Sequence, residues 1–312
     1  MIASRLVISF FTLIAISLVI TVGVEFLSGD VCTAMLGQMA SEETTAACHA
    51  KLNLDRPVLV RYAEWLFNFL QGDMGNSLAN DRTVAELVGS RIGNTLFLAV
   101  FASMMAIPIG IALGVVAALY RGTIFDRSIS VSTLSTISVP DFFVAYILMA
   151  IFAVNYAIFP AISNVSPDMG FFDRLYVSAL PVATLTLISI AHMMRMTRAS
   201  IVNLLASPYI EMAKLKGIKP GRVIVKHALP NAWAPIIQVA ILNIAFMIVG
   251  VVIIEVVFVY PGLGALMVDA VTLRNMTVVQ ATAMIFASAY ILLMLLADVL
   301  SIVTNPRLRH RR

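Results

Sequence analysis

Six long apolar stretches leave this 312-residue chain few ways to fold. They lie near Leu6–Leu27, Thr95–Tyr120, Val131–Phe159, Ser178–Met194, Ala232–Phe258 and Ala281–Val303. A helix needs roughly 20 mostly apolar residues, each rising about 1.5 Å, to cross a hydrocarbon core of about 30 Å. Membrane-barrel strands would be about ten residues long with strict alternation, a pattern these stretches lack. Composition agrees: 60% of the residues are apolar and 12% charged, against about 45–50% and about 25% in an ordinary soluble domain. With a mean hydropathy of +0.95, the chain reads as an all-α integral membrane protein with six transmembrane helices. The same numbers exclude low-complexity disorder, disulfide scaffolds and basic soluble domains that bind nucleic acid.

Pro108 and Pro181 fall inside spans, where neighbouring helices and water can satisfy the freed carbonyls. The third stretch contains Pro140 and Asp141, which places its start least firmly. Arg5 ahead of the first stretch resembles a signal peptide, but an apolar run of about 22 residues exceeds a signal core of about 7–15. No small-x-small cleavage site closes it, so a retained anchor is expected. The chain then divides into a first helix at 1–27, an outer segment at 28–94 and a core of five helices at 95–312.

Charge sets the orientation. Fourteen of the 21 basic residues flank one side, in the N-terminus, the 121–130 and 195–230 connections and the tail. Asp126 and Glu211 are the acids among them, whereas the other side carries seven basic residues and eleven acids. By the positive-inside rule both termini and the 195–230 connection are cytoplasmic. The net charge of +4 is therefore an orientation signal and not a nucleic-acid footprint.

In the outer segment, Ser41 followed by Glu42 and Glu43 predicts a helix start. A second helix is expected after Pro57, with Tyr62, Trp65, Leu66 and Phe69 on one face packed on the membrane domain or at its interface. Cys32 and Cys48 are the only cysteines, both on the side where thiols can oxidise. One reading is a disulfide, whose loop would contribute roughly 3 kcal/mol on the entropic model. The other is two buried free thiols.

The connection between the fourth and fifth spans has its own architecture. Ser207-Pro208 predicts an N-cap with proline at the first helical position, and a helix through Tyr209–Gly217 follows. Ile210, Ala213 and Gly217 form one stripe, whose small residues would admit close approach by another surface. Pro220-Gly221 breaks the helix, and a second leads to Leu229-Pro230-Asn231.

Glu211-x-Ala213, Gly217 and His227-Ala228-Leu229-Pro230-Asn231 resemble the EAA loop of ABC-importer permeases. The whole chain resembles the B-type permease subunit of dipeptide, oligopeptide and nickel importers. The likeness includes Leu54-Asp55-Arg56-Pro57, Gly72-Asp73-Met74-Gly75, Arg121-Gly122-Thr123-Ile124-Phe125-Asp126 and Arg195-Met196-Thr197-Arg198-Ala199-Ser200. It continues through Glu255-x-x-Phe258-x-x-Pro261-Gly262-Leu263-Gly264, Asp269-Ala270, Val278-Val279-Gln280 and Asn305-Pro306-Arg307.

The resemblance implies a type I ABC-importer permease fold in a bacterial inner membrane, in contact with lipid. It implies a second, homologous permease subunit, two ATP-binding subunits in the cytoplasm and an extracytoplasmic substrate-binding protein. The coupling loop would occupy 199–231, with Tyr209, Glu211, Ala213, Gly217, Leu229 and Pro230 as the ATPase-coupling positions. Two positions depart from the family pattern. Pro208-Tyr209 stands where Asp-Tyr is usual, and Asp141 follows a proline that is commonly followed by an apolar residue.

Catalytic chemistry is poorly represented. No phosphate-cradling G-x-x-x-x-G-K-[ST] loop occurs, so ATP would be bound by the partner subunits and no cofactor is expected in this chain. His49, His192, His227 and His310 are dispersed, and neither H-E-x-x-H nor Cys-x-x-Cys is present. No metal site is expected, and the chain is read as a non-enzymatic subunit.

Asp141, Glu255 and Asp298 lie in or near apolar spans, where ionised groups are costly and often mark a route or an internal pair. Asp141 and Glu255 are candidates for the translocation pathway, with Gln238 and Asn243 on the fifth span. Interhelical hydrogen bonding is the competing reading for the two amides, and Asp298 could pair with Arg307. The function expected is alternating-access import of di- or oligopeptides. Import of a nickel chelate, glutathione, an opine or a sugar is the alternative, and an ATPase-independent transporter or channel a more distant one.

Overall fold

The computed structural model describes residues 2–25, 31–51, 54–80 and 82–304. The end of the expected first span, the Asn305-Pro306-Arg307 motif and the basic tail lie outside them. Among the described residues the chain is helical, with one isolated antiparallel bridge between Asn76 and Thr83. Helix α1 covers Ile2–Glu25, followed by α2 (Val31–Leu36), α3 (Glu42–Lys51) and α4 (Val58–Leu70). Next come α5 (Val84–Leu119), α6 (Ile124–Ser138), α7 (Asp141–Met149) and α8 (Phe171–Val177). Helix α9 covers Ala179–Leu205 and α10 covers Pro208–Leu215. The single turn α11 (Pro220–Arg222) runs through a π-helical turn, Val223–Ala228, into α12 (Leu229–Val257). Helices α13 (Leu263–Thr272) and α14 (Met276–Thr304) follow.

Five helices are long and apolar enough to cross a membrane, and six crossings result if α6 and α7 together make one. The third span is not the continuous helix expected over Val131–Phe159. It is broken at Val139-Pro140, where the two arms bend by 102°. Proline disfavours helical backbone in the residue before it, and Val139 is accordingly extended at φ −92°, ψ 132°. Two other limits also move. Helix α5 has 36 residues, a length of about 54 Å that exceeds any hydrocarbon core. Helix α9 continues to Leu205, so Arg195 and Arg198 are helical and the connection after it is shorter than expected.

The chain divides into two compact units, one of residues 1–96 with 261–289, the other of 97–260 with 290–312. The expected core at 95–312 does not coincide with either. In the first unit Cys32 and Cys48 are bonded, joining α2 to α3. The aromatic face of α4 packs on α1: Tyr62 Oη lies 2.7 Å from Ser17 Oγ, and Trp65 is buried between Tyr62 and Phe69. The Gly72–Gly75 motif is a turn. Both glycines have positive φ, and Asp73 Oδ1 accepts from the Gly75 N–H at 2.8 Å. Two buried polar contacts tie distant segments: Gln280 donates to Thr21 Oγ1 at 2.6 Å, and Asn275 donates to Ser77 Oγ at 2.7 Å. Thr95 Oγ1 accepts the first free N–H of α13, from Leu263, at 2.8 Å.

The second unit is built on α9, which packs against α6, α7 and α12. Gly110 and Gly114, one turn apart on α5, let that helix approach α9 closely. A Cβ at Gly110 would lie 2.6 Å from Met193 Cβ, and one at Gly114 2.7 Å from Thr197 Cβ. Small residues at i and i+4 are the usual means of close helix contact in lipid. Asp126 at the start of α6 receives Arg198 Nε at 2.6 Å and Nη2 at 2.8 Å. The same carboxylate accepts the Gly122 N–H at 2.9 Å. The motifs at Arg121–Asp126 and Arg195–Ser200 thus converge on one ion pair.

Candidate coupling surface and membrane cavity

Helix α10 begins as the sequence predicts, with Ser207 extended in the N-cap position and Pro208 at the first turn. The Ser207 hydroxyl bonds back to the Leu204 carbonyl and does not cap α10. The helix ends in a paired-bond cap. Gly217 N–H donates to Lys214 O at 2.9 Å, and Ile218 N–H donates to Ala213 O at 3.3 Å. This closure requires a left-handed residue between the two bonds, and Gly217 has φ +74°. The glycine is there because the turn needs it.

The stripe expected to admit an approaching surface is divided. Ile210 and Ala213 are buried in this chain's own packing, with Val223 and Ala228, and Ile218 closes over them. Ala213 is small because the returning π-helical turn passes beside it. The outward face carries Tyr209, Glu211, Met212, Lys214 and Leu215, with Leu215 77% exposed. Gly217 and Pro230 are also exposed, and Leu229 is half-buried. Tyr209 Oη and Asn231 Nδ2 both reach the His227 carbonyl, at 3.5 and 2.9 Å. Helix α10 is thereby fastened to the foot of α12.

Between α7, α9 and α12 lies a cavity of about 460 Å³. Asp141 and Asn243 line it, together with Ser189, His192, Arg195, Gly250 and apolar side chains including Leu185, Phe246 and Met247. Asn243 Nδ2 donates to Ser189 O at 3.2 Å, so the amide makes an interhelical bond and lines the cavity at once. Gln238 is half-buried on α12 and is not part of the lining. Glu255 is wholly buried near the end of α12, away from the cavity. It stands close to Tyr260, whose hydroxyl bonds with Arg174. Burial pushes the Tyr260 phenol above its ordinary range, against the pull of the Arg174 hydrogen bond.

His192 and Arg195 were not foreseen in the cavity. Their signal is the spacing of Leu185, Ile188, Ser189, His192, Arg195 and Met196, a repeat of three and four residues that sets one face of a helix. Arg195 reads as a cytoplasmic flank only while the fourth span is taken to end at Met194. Among the described residues no cluster of His, Cys, Asp or Glu could hold a metal ion.

Residues 110–310 match the family described as binding-protein-dependent transport system inner membrane component. The glutathione transport system permease protein GsiC of Salmonella typhimurium is 33% identical over 300 residues, covering 96% of this chain and 95% of its own. The chain belongs to this permease family. A Brucella abortus protein named as a peptide transport system permease is 32% identical over 289 residues, covering 92% of this chain and 91% of its own. A chain of the inward-facing MetNI methionine ABC transporter has the same fold, with a TM-score of 0.55 at 16% identity. That likeness covers 70% of this permease and 96% of the other chain. The permease is thus a membrane subunit of an ABC importer, with the helical fold of that class.

Proposed function

We propose that this permease moves short peptides across the bacterial inner membrane, taking them from an extracytoplasmic binding protein. It pairs with a second, homologous permease, and two ATP-binding subunits dock on its cytoplasmic side, where both termini lie. The observation that carries the docking reading is the divided face of α10. Its inner side is held by Ile210 and Ala213, while Tyr209, Glu211, Met212 and Leu215 are exposed on its outer side.

A helix fixed from beneath transmits displacement. Nucleotide binding that favours the closed ATPase pair would draw α10 with it, and α9 and α12, continuous with the loop, would change the side to which the route opens. The nucleotide biases the equilibrium only through its different affinity for the two states. Glu211, Gly217, Leu229 and Pro230 belong to the contact or its rim, whereas Ala213 acts from below. Glutathione is the second substrate reading, favoured by the 33% identity to GsiC; it is itself a short peptide.

The test is assembly and uptake. Leu215→Asp should leave the permease in the membrane yet lose co-purifying ATPase subunits and the uptake of a labelled dipeptide. Normal uptake by that variant would remove α10 as the docking element.

A further inference from the structure

The membrane cavity holds opposite charges that do not neutralise each other. Asp141 and Arg195 both line it, and no ion pair joins them among the described residues. Asp141 is the first residue of α7, after Pro140, while Arg195 projects from α9 one turn beyond His192. His192 lies within electrostatic reach of both. The cavity spans the middle of α12, from Val239 to Gly250. Asp141 is half-buried and His192 and Arg195 are exposed, so these groups stand open to a ligand of matching charge.

Space and packing favour an organic ligand. The volume of 460 Å³ lies within the range of about 300–1,000 Å³ common to small-molecule pockets, which are mostly apolar with a few placed polar groups. Gly250 lies beside the carboxylate, where a Cβ would make ordinary contact with Asp141 Oδ2 at 3.8 Å. Asn243 is fixed by its bond to Ser189.

We propose that this cavity is a specificity site for a zwitterion, with Asp141 taking the ammonium group and Arg195 the carboxylate of a short peptide. His192 and Asn243 offer hydrogen bonds between the two ends, and the apolar wall accommodates the side chains. The inference rests on the peptide-import reading and adds that selection continues inside the membrane, after the binding protein has released its cargo.

The test uses the assembled permease and ATPase complex in lipid nanodiscs, without binding protein. Binding of labelled leucyl-alanine, its N-acetyl derivative and its C-terminal amide is measured by equilibrium dialysis. The free dipeptide should bind more tightly than either blocked form, on the order of tenfold, because each block removes a charge-assisted contact. Asp141→Asn should abolish discrimination against the N-acetyl form alone, and Arg195→Gln discrimination against the amide alone. Damage to the fold would not sort the two variants by terminus, and Arg195→Lys should retain part of the carboxylate preference. Uptake of leucyl-alanine with the binding protein present is measured in parallel. No uptake would overturn the peptide reading and the inference with it. Uptake accompanied by equal binding of the three probes, or by variants that leave the preferences unchanged, would overturn the inference alone.

Discussion

Gly217 and Val259 occupy the same left-handed region, at φ +74° and +51°, with opposite consequences. A Cβ at Gly217 would meet nothing within 4 Å, so the cost of another residue there is conformational. Gly217→Ala should lower stability by about 1 kcal/mol and speed amide exchange at Ile218, whose bond to Ala213 closes α10. An unchanged exchange rate would speak against the turn. Val259 follows the end of α12, where Tyr260 N–H returns to Glu255 O at 2.7 Å, and a β-branched residue in that conformation is strained. Val259→Gly is expected to add stability near ~1 kcal/mol less the added chain entropy of glycine, and so to raise the thermal midpoint. The sequence predicts a helix through Gly217 to a break at Pro220-Gly221, whereas α10 ends at Leu215 and Gly217 is its stop. Val259 was not legible either, because nothing in its residue type announces a positive φ.

Helices α5, α6 and α9 are held by two devices that the apolar pattern does not reveal. The first is the pair of glycines on α5. Gly114→Leu should force α5 from α9, because the new Cβ alone would stand 2.8 Å from the Met194 carbonyl. Overpacking of this kind costs about 1–3 kcal/mol, and a thermal unfolding scan of the purified permease would show it. The second is Asp126 with Arg198, whose side chains are 5% and 28% exposed. Asp126→Asn leaves a half-buried guanidinium with weaker partners and should cost about 1–2 kcal/mol. The double variant Asp126→Asn with Arg198→Met should recover part of that loss in a double-mutant cycle. Strict additivity of the two changes would show that the pair is not coupled. Both partners were visible in sequence as members of ordered motifs, but their pairing spans 72 positions. Local periodicity carries no information about such a contact.

For the molecule as a whole, the bond between Cys32 and Cys48 makes a direct prediction. Alkylation of the unfolded chain without reduction should label neither cysteine, and labelling only after reduction confirms the pair. Substituting both with serine should destabilise the first unit by roughly 3 kcal/mol on the entropic model, given a separation of 16 residues.

The sequence by itself determined that the chain is a helical membrane protein, where its apolar runs lie and which connection resembles a coupling loop. These are properties of contiguous residues: hydrophobic length, proline and glycine stops, and motifs in order. Tertiary structure decided which way each side chain faces and what it meets. It turned Ala213 inward, broke the third span at Pro140, paired Asp126 with Arg198, and set Asp141, His192 and Arg195 around one cavity. Each of those depends on packing between segments far apart in the chain, where the free energy of a contact is not a function of either segment alone.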